Sequence, residues 1–370
     1  MKIIIAPDKF KGSLTSFEVC KAISKGLKET NLELEINEFP MADGGDGFAM
    51  VMQHYLNTET ISIDTVDPLG RNISGSYQWN KKEQVAIIEL AVASGLVLLS
   101  EQERNPLLTS TFGTGLLIKD AIGRGANKIL LGLGGSASND AGAGILAALD
   151  FKFLDEAGNV LKPCGENLVK IHKMIVPALL PKIKIEIACD VQNVLFGLQG
   201  AAHIYAPQKG ANHQQVEVLD KGLINFSRVI KSETGKDISN IPGTGAAGGI
   251  AAGLLAFFDA AMKKGIEMVI DASHIKDHLV NAELVITGEG KIDEQTSRGK
   301  VVGSIASLAN TNDIPSVAVC GVLQLNENGI KNLGLKKAVP IQDDEITKEY
   351  AMKNAASLLA KKAATILNVL

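Results

Sequence analysis

Short apolar runs alternate along the chain with longer segments in which apolar residues recur every three or four positions. Residues 2–6, 33–38, 85–90, 128–133, 183–188, 283–287, 316–320 and 337–340 have the length and composition of strands. Residues 16–29, 47–56, 115–124, 141–149, 214–234, 246–258, 302–310 and 346–367 carry the helical period. In the first of these, Ser16 is placed to cap the helix, and Val19, Ala22, Ile23 and Leu27 share one face. Such alternation predicts an α/β architecture with mainly parallel sheets. Residues 61–80 depart from it. They are rich in Ser and Thr, alternate polar with apolar, and are interrupted by Pro68-Leu69-Gly70, which predicts a hairpin.

Composition narrows the class. A chain of 370 residues, 46% hydrophobic and 21% charged, is long enough for two globular domains with sizeable cores. Its 37 glycines and 4% aromatics suit an enzyme with many tight loops and not a protein that stacks nucleic-acid bases. A net charge of −4 gives no general attraction to nucleic acid or an anionic membrane. Cys20, Cys164, Cys189 and Cys320 lie far apart without metal or redox spacing, which reads as free thiols in a reducing compartment. The first strand turns charged at Asp8, unlike a secretory leader. The apolar stretch at 250–262 contains Asp259 and is too short to span a bilayer. The expectation is a soluble cytoplasmic protein, monomer or homodimer, whose partners are small molecules and neither nucleic acid nor membrane.

Candidate chemistry sits where strands end. Residues 128–133 run into Gly134-Gly135-Ser136-Ala137-Ser138-Asn139, a turn whose backbone N–H groups and side-chain donors suit a phosphate or carboxylate. Asp8 shares its loop with Lys9, Lys11 and Ser13, and Asp43 and Asp46 flank a glycine pair that could adjoin a cation. Thr111, Gly113 and Thr114 precede a helix, Asp190 follows the strand 183–188, and Pro242-Gly243-Thr244-Gly245 opens an apolar segment. Glu289, Lys291, Asp293, Arg298 and Lys300 crowd one glycine-containing polar stretch. Helix capping or close packing is the alternative at each of these places. No P-loop, kinase catalytic-loop signature, nucleophile elbow or zinc-helix motif occurs. His274 and His278 have helical i, i+4 spacing but no evident third ligand. Together the loops supply what phosphoryl transfer needs: N–H groups and cations for phosphate, carboxylates for Mg²⁺, and a base. A dinucleotide oxidoreductase is disfavoured, because no acidic residue follows a second strand at the expected distance.

Several blocks resemble the class I glycerate kinases: Ala6-Pro7-Asp8 with residues 10–14, 42–45, 110–115, 132–137 with Asn139-Asp140, 207–211, 242–249, and 286–290 with Ile292-Asp293. The similarity runs from Met1 to Gly321 in order, with Lys9 where many relatives have serine and Asp46 where glutamate is common. The tail after Gly321 is assigned no chemistry. The resemblance implies ATP- and Mg²⁺-dependent phosphorylation of a glycerate hydroxyl, to the 2- or 3-phosphate. A kinase of another small hydroxy acid, or a non-catalytic anion-binding protein, would share the loops. It implies a Rossmann-like domain with a mainly parallel sheet from both chain ends (1–60 plus 280–370). An inserted α/β domain with a mixed sheet (61–279) would follow, with the active-site cleft between the two. On this reading Lys11 is the catalytic cation, Asp43 or Asp190 the base, and Arg298 or Lys300 the carboxylate clamp. Gly134, Gly135, Ser136 and Asn139, with Gly243, Thr244 and Gly245, would hold nucleotide phosphates. Asp8, Ser13, Thr111, Gly113 and Thr114 would meet the acid, and Asp293 or Glu289 the Mg²⁺.

Overall fold

The computed structural model describes residues 1–30, 33–45, 47–297, 300–343 and 346–367. In chain order the strands are β1 (Lys2–Pro7), β2 (Glu35–Glu38), β3 (Glu59–Val66), β4 (Asn72–Asn80), β5 (Val85–Glu89), β6 (Lys128–Gly132) and β7 (Lys152–Leu154). They continue with β8 (Lys173–Ile175), β9 (Lys184–Ala188), β10 (Asp259–Lys263), β11 (Leu284–Ile292), β12 (Ser316–Leu323) and β13 (Lys337–Pro340). The chain divides into unit 1, Met1–Asp43 with Lys264–Leu370, and unit 2, Gly44–Lys263.

Unit 1 is built on a parallel sheet ordered β13-β12-β11-β1-β2. Ile3, Ile4, Ile5 and Ala6 are all fully buried, because a central parallel strand is covered on both faces. The helix Ser16–Lys28 packs beneath it, started by a capping box in which Thr15 and Glu18 satisfy each other's backbone N–H. It lies against the helix Ala355–Ile366, and a Cβ on Gly26 would stand 2.0 Å from the Ala360 carbonyl oxygen, so only glycine permits the crossing. Val302 and Ala306 of the helix Val301–Thr311 bury against Ala318 and Cys320 of β12. This strand order, 2-1-3-4-5 by position in the unit, is a doubly wound one, and such sheets take ligands beyond the carboxyl ends of their strands.

Unit 2 carries a mixed sheet ordered β10-β9-β6-β5-β4-β3, parallel from β10 to β5 and antiparallel across β5, β4 and β3. The β3–β4 hairpin turns at Pro68-Leu69-Gly70, where Asp67 accepts the N–H groups of Leu69 and Arg71, each at 2.9 Å. A separate two-stranded ribbon pairs β7 with β8.

The structure revises several sequence expectations. The unit limits fall at 43/44 and 263/264 and not at 60/61 and 279/280. Phe48, Val51 and Met52 of the helix Phe48–Leu56 are buried in unit 2, whose Glu89 accepts the Ala49 N–H at 2.9 Å. Residues 264–279 belong instead to unit 1, where the His278 ring meets Phe39 edge-on at 5.0 Å. The apolar stretch 250–262 is a helix ending at Phe257 and then strand β10. The polar stretch after residue 287 begins as strand, since β11 continues to Ile292, and then passes through a single 3-10 turn at Glu294–Ser297. Residues 346–367 hold two helices, Lys348–Lys353 and Ala355–Ile366.

Candidate active site

In unit 1 the carboxyl ends of β1, β11, β12 and β13 surround a cavity of about 640 Å³ lined by residues of that unit. Asp8 follows β1 and donates its backbone N–H to the Gly288 carbonyl of β11 at 2.8 Å. Its carboxylate accepts the Lys9 N–H at 2.7 Å, and the Lys9 ammonium lies 3.9 Å from it and 4.0 Å from Asp43. Lys9 therefore spans two carboxylates. Burial pushes the Asp8 carboxyl up to about 6 even though Lys9 opposes the shift. Glu289 points from β11 into the same cavity and is 5% exposed, with the Thr296 hydroxyl donating to it at 2.5 Å. Burial raises Glu289 to about 7, against the Thr296 hydrogen bond and the nearby Lys300. Lys11, Lys291, Lys300 and Lys348 complete the charged lining.

Asp293 behaves differently. The Lys291 ammonium at 2.9 Å and the Gln295 N–H at 2.9 Å hold its carboxyl below the usual range, so it stays ionised. It does not line the cavity. Among the described residues, no three His, Cys, Asp or Glu side chains gather as a metal-binding group. The donor chemistry of Asp8 and Glu289 nevertheless fits Mg²⁺, which takes one or two carboxylates and completes its sphere with phosphate and water. Ser13 lines the cavity while its hydroxyl donates to the Met352 carbonyl at 2.6 Å. Arg298 and Asp46 lie outside the described residues.

In unit 2 the turn after β6 has a different geometry. Gly135 adopts φ +72°, and the N–H groups of Gly134, Gly135 and Ser136 find no acceptor among the described residues. Successive free N–H groups in a turn of this kind form an anion-binding nest. Behind it lies Lys209, 2% exposed, its ammonium donating to the Ser138 carbonyl at 2.5 Å and the Ser136 hydroxyl at 3.2 Å. Burial pulls Lys209 down to about 7, while Asp140 counters by favouring its charged form. Asp140 is itself enclosed and accepts four hydrogen bonds, from the Thr111 N–H and hydroxyl and from the Gly142 and Gly144 N–H groups. Gly132 of β6 pairs with Ala188 of β9, so Asp190 leaves the sheet beside this turn. Asp190 is half-exposed.

Several residues expected at ligands are instead structural. The Gly243 and Gly245 N–H groups both donate to the Asn193 carbonyl, at 3.1 and 2.9 Å, and Thr244 N–H donates to Ile241. With every N–H engaged and all three residues buried, this turn cannot cradle phosphate. Its glycines serve packing: a Cβ on Gly245 would stand 2.3 Å from the Val194 carbonyl oxygen. Thr111 and Thr114 are fully buried, Thr111 on Asp140 and Thr114 within 2.7 Å of the Ser94 hydroxyl. A Cβ on Gly113 would stand 1.9 Å from the Val66 oxygen. These three are taken up by packing and internal hydrogen bonds that shape the turn. Asn139 is also fully buried, with both side-chain polar atoms unpartnered among the described residues.

Sequence reasoning gave Lys209 no role, although it stands in the matching block 207–211, because its type is ordinarily exposed. It also passed over Thr296 and the cavity wall beyond Gly321, whose Ile341, Ala351, Met352 and Ala355 look like plain packing residues.

Comparison with known proteins bears on these sites. The model of the family described as glycerate kinase matches residues 3–370. The glycerate kinase of Halalkalibacterium halodurans is 38% identical over 98% of this chain and 97% of its own length. The glycerate 2-kinase of Escherichia coli is 37% identical over 99% and 97%. The crystal structure of a candidate glycerate kinase 2 from Salmonella typhimurium LT2 superposes with a TM-score of 0.88 at 37% identity, covering 100% of this chain and 97% of that one.

Proposed function

This chain belongs to the glycerate kinase family, and from that premise we propose that it transfers the γ-phosphoryl group of ATP to a hydroxyl of glycerate. The hydroxyl oxygen forms the new P–O bond and the bond to the ADP oxygen breaks. The hydroxyl proton passes to a carboxylate, giving phosphoglycerate and ADP. The observation that supports this most is the enclosure of Asp8 and Glu289 among Lys9, Lys11, Lys291 and Lys300 in one cavity at the sheet's carboxyl edge. Two buried carboxylates with raised affinity for protons are ready for a divalent cation, and the lysines suit phosphate oxygens. Asp8 and Glu289 would hold the Mg²⁺, which when bound neutralises developing phosphate charge. The Gly134–Ser136 nest, backed by Lys209, would take the carboxylate of the acid.

Asp43 and Asp190 are the half-exposed carboxylates suited to accept the proton. Replacing the true base by asparagine, in Asp43→Asn or Asp190→Asn, lowers kcat by roughly 100-fold or more and leaves KM little changed. Among the described residues no helix is long and apolar enough to cross a membrane. The four cysteines are buried and unpaired, in keeping with work in the cytoplasm. A coupled ADP-release assay with D-glycerate, L-glycerate and hydroxypyruvate tests the reading, and phosphorus NMR of the product locates the phosphate. Turnover with a glycerate enantiomer is expected. Folded protein that releases ADP no faster with any of the three than without acceptor overturns it.

A further inference from the structure

The unit 1 cavity is much larger than the acid needs. A three-carbon acid has fewer than ten heavy atoms and, at about 20–30 Å³ for each as for liquid water, fills about 200 Å³. The cavity holds about 640 Å³, within the range that accepts a drug-sized ligand. Its lining is also divided. The charged groups gather on one side: Asp8 and Lys9 just after β1, Asp43 after β2, Glu289 in the last half of β11, and Lys300 at the start of the helix Val301–Thr311. Toward β12 and β13 the wall is apolar, made by Val322, Ile341, Ala351, Met352 and Ala355, with Phe10 closing it from the β1 loop. Only Lys348, exposed at the start of the helix Lys348–Lys353, carries charge on that side. Gln342, half-buried on the same wall, offers an amide that can both donate and accept.

A ligand that fills such a space has one flat or apolar part with a few hydrogen-bonding edges and one strongly anionic part. A hydroxy acid lacks the first. A purine nucleoside triphosphate has both.

We propose that unit 1's cavity is the nucleotide seat, the purine lying on the Ile341–Met352 wall and the triphosphate reaching Lys9 and Lys300, with Asp8 and Glu289 facing it through the Mg²⁺ they would hold. The inference rests on the phosphoryl-transfer reading and moves the nucleotide away from the glycine turns of unit 2. It also gives the tail beyond Gly321 a task.

Two measurements test it. Ala351→Trp fills the apolar half of the cavity. It should raise KM for ATP at least tenfold, with KM for glycerate within twofold and an unchanged far-UV spectrum. A rise confined to glycerate overturns the proposal. Because that variant could fail to fold, the wild-type protein is also photolabelled with 2-azido-ATP and digested. Label in residues 337–356, suppressed by ATP, is expected; label in residues 128–145, or in neither segment, overturns it. Should the wild type bind ATP and label in 337–356 yet turn over no hydroxy acid, the kinase reading fails and the nucleotide seat stands.

Discussion

Replacing Glu289 by glutamine removes one ionisation and leaves the hydrogen bond it depends on, since the amide oxygen can still accept from the Thr296 hydroxyl. In the folded protein without ligands the Glu289 carboxyl is moved from 4.5 to about 7, chiefly by burial. Between those values the native state holds a proton that the unfolded chain has released. By linkage, stability therefore falls as pH rises from about 4.5 to about 7 and is flat above. The ionised form is penalised by about 3 kcal/mol, from roughly 1.4 kcal/mol per tenfold change in proton affinity. Glu289→Gln should thus be more stable than wild type at pH 8, by an amount approaching that figure, and nearly equal to it at pH 4.5. Asp8, moved from 3.8 to about 6, adds a parallel slope that the variant keeps. Urea unfolding followed by far-UV circular dichroism at several pH values measures this. Emission from Trp79, the chain's one tryptophan, reports on unit 2 as an internal control. Equal pH slopes for wild type and variant, or a variant less stable at pH 8, would refute the burial argument.

Other substitutions separate packing from binding. Gly245→Ala forces a Cβ to within 2.3 Å of a carbonyl oxygen, so thermal melting should show a loss of about 1–3 kcal/mol while KM for ATP in surviving enzyme stays put. Thr111→Val removes two hydrogen bonds of the hydroxyl, to Asp140 and from the Ile145 N–H, and should cost about 1–3 kcal/mol by chemical denaturation. Lys209→Met deletes the buried ammonium behind the nest and should raise KM for the acid about tenfold or more with a smaller change in KM for ATP. Steady-state kinetics with each substrate varied in turn would show otherwise if both constants moved together.

Strands such as β1, β6 and β12 were legible in sequence as short, consecutive apolar runs of the kind a parallel sheet buries on both faces. β10 was not, because Asp-Ala-Ala-Met-Lys has no β-branched residue and follows directly on an apolar helical run. The acidic part of the site was legible too: Asp8 follows directly on an apolar strand, and Glu289 stands between Gly288 and Gly290 just past the apolar half of β11. Glycine itself was ambiguous. At Gly135 it leaves an N–H open to solvent, whereas at Gly243 and Gly245 it lets two backbones meet, and both patterns read alike. Met352 was invisible, and Lys209 visible only as part of the matching block 207–211, because their roles come from what folds around them.

The pairing of β1 has a consequence for synthesis. Its neighbours are β2, made almost at once, and β11, which emerges only after all of unit 2 has been translated. Unit 2 is a single uninterrupted stretch and can condense on the ribosome, while the Ile3–Ile5 ridge waits with one flank unpaired. Shielding that sticky edge, whether by a chaperone or by rapid elongation, is a requirement built into the order in which the segments leave the exit tunnel.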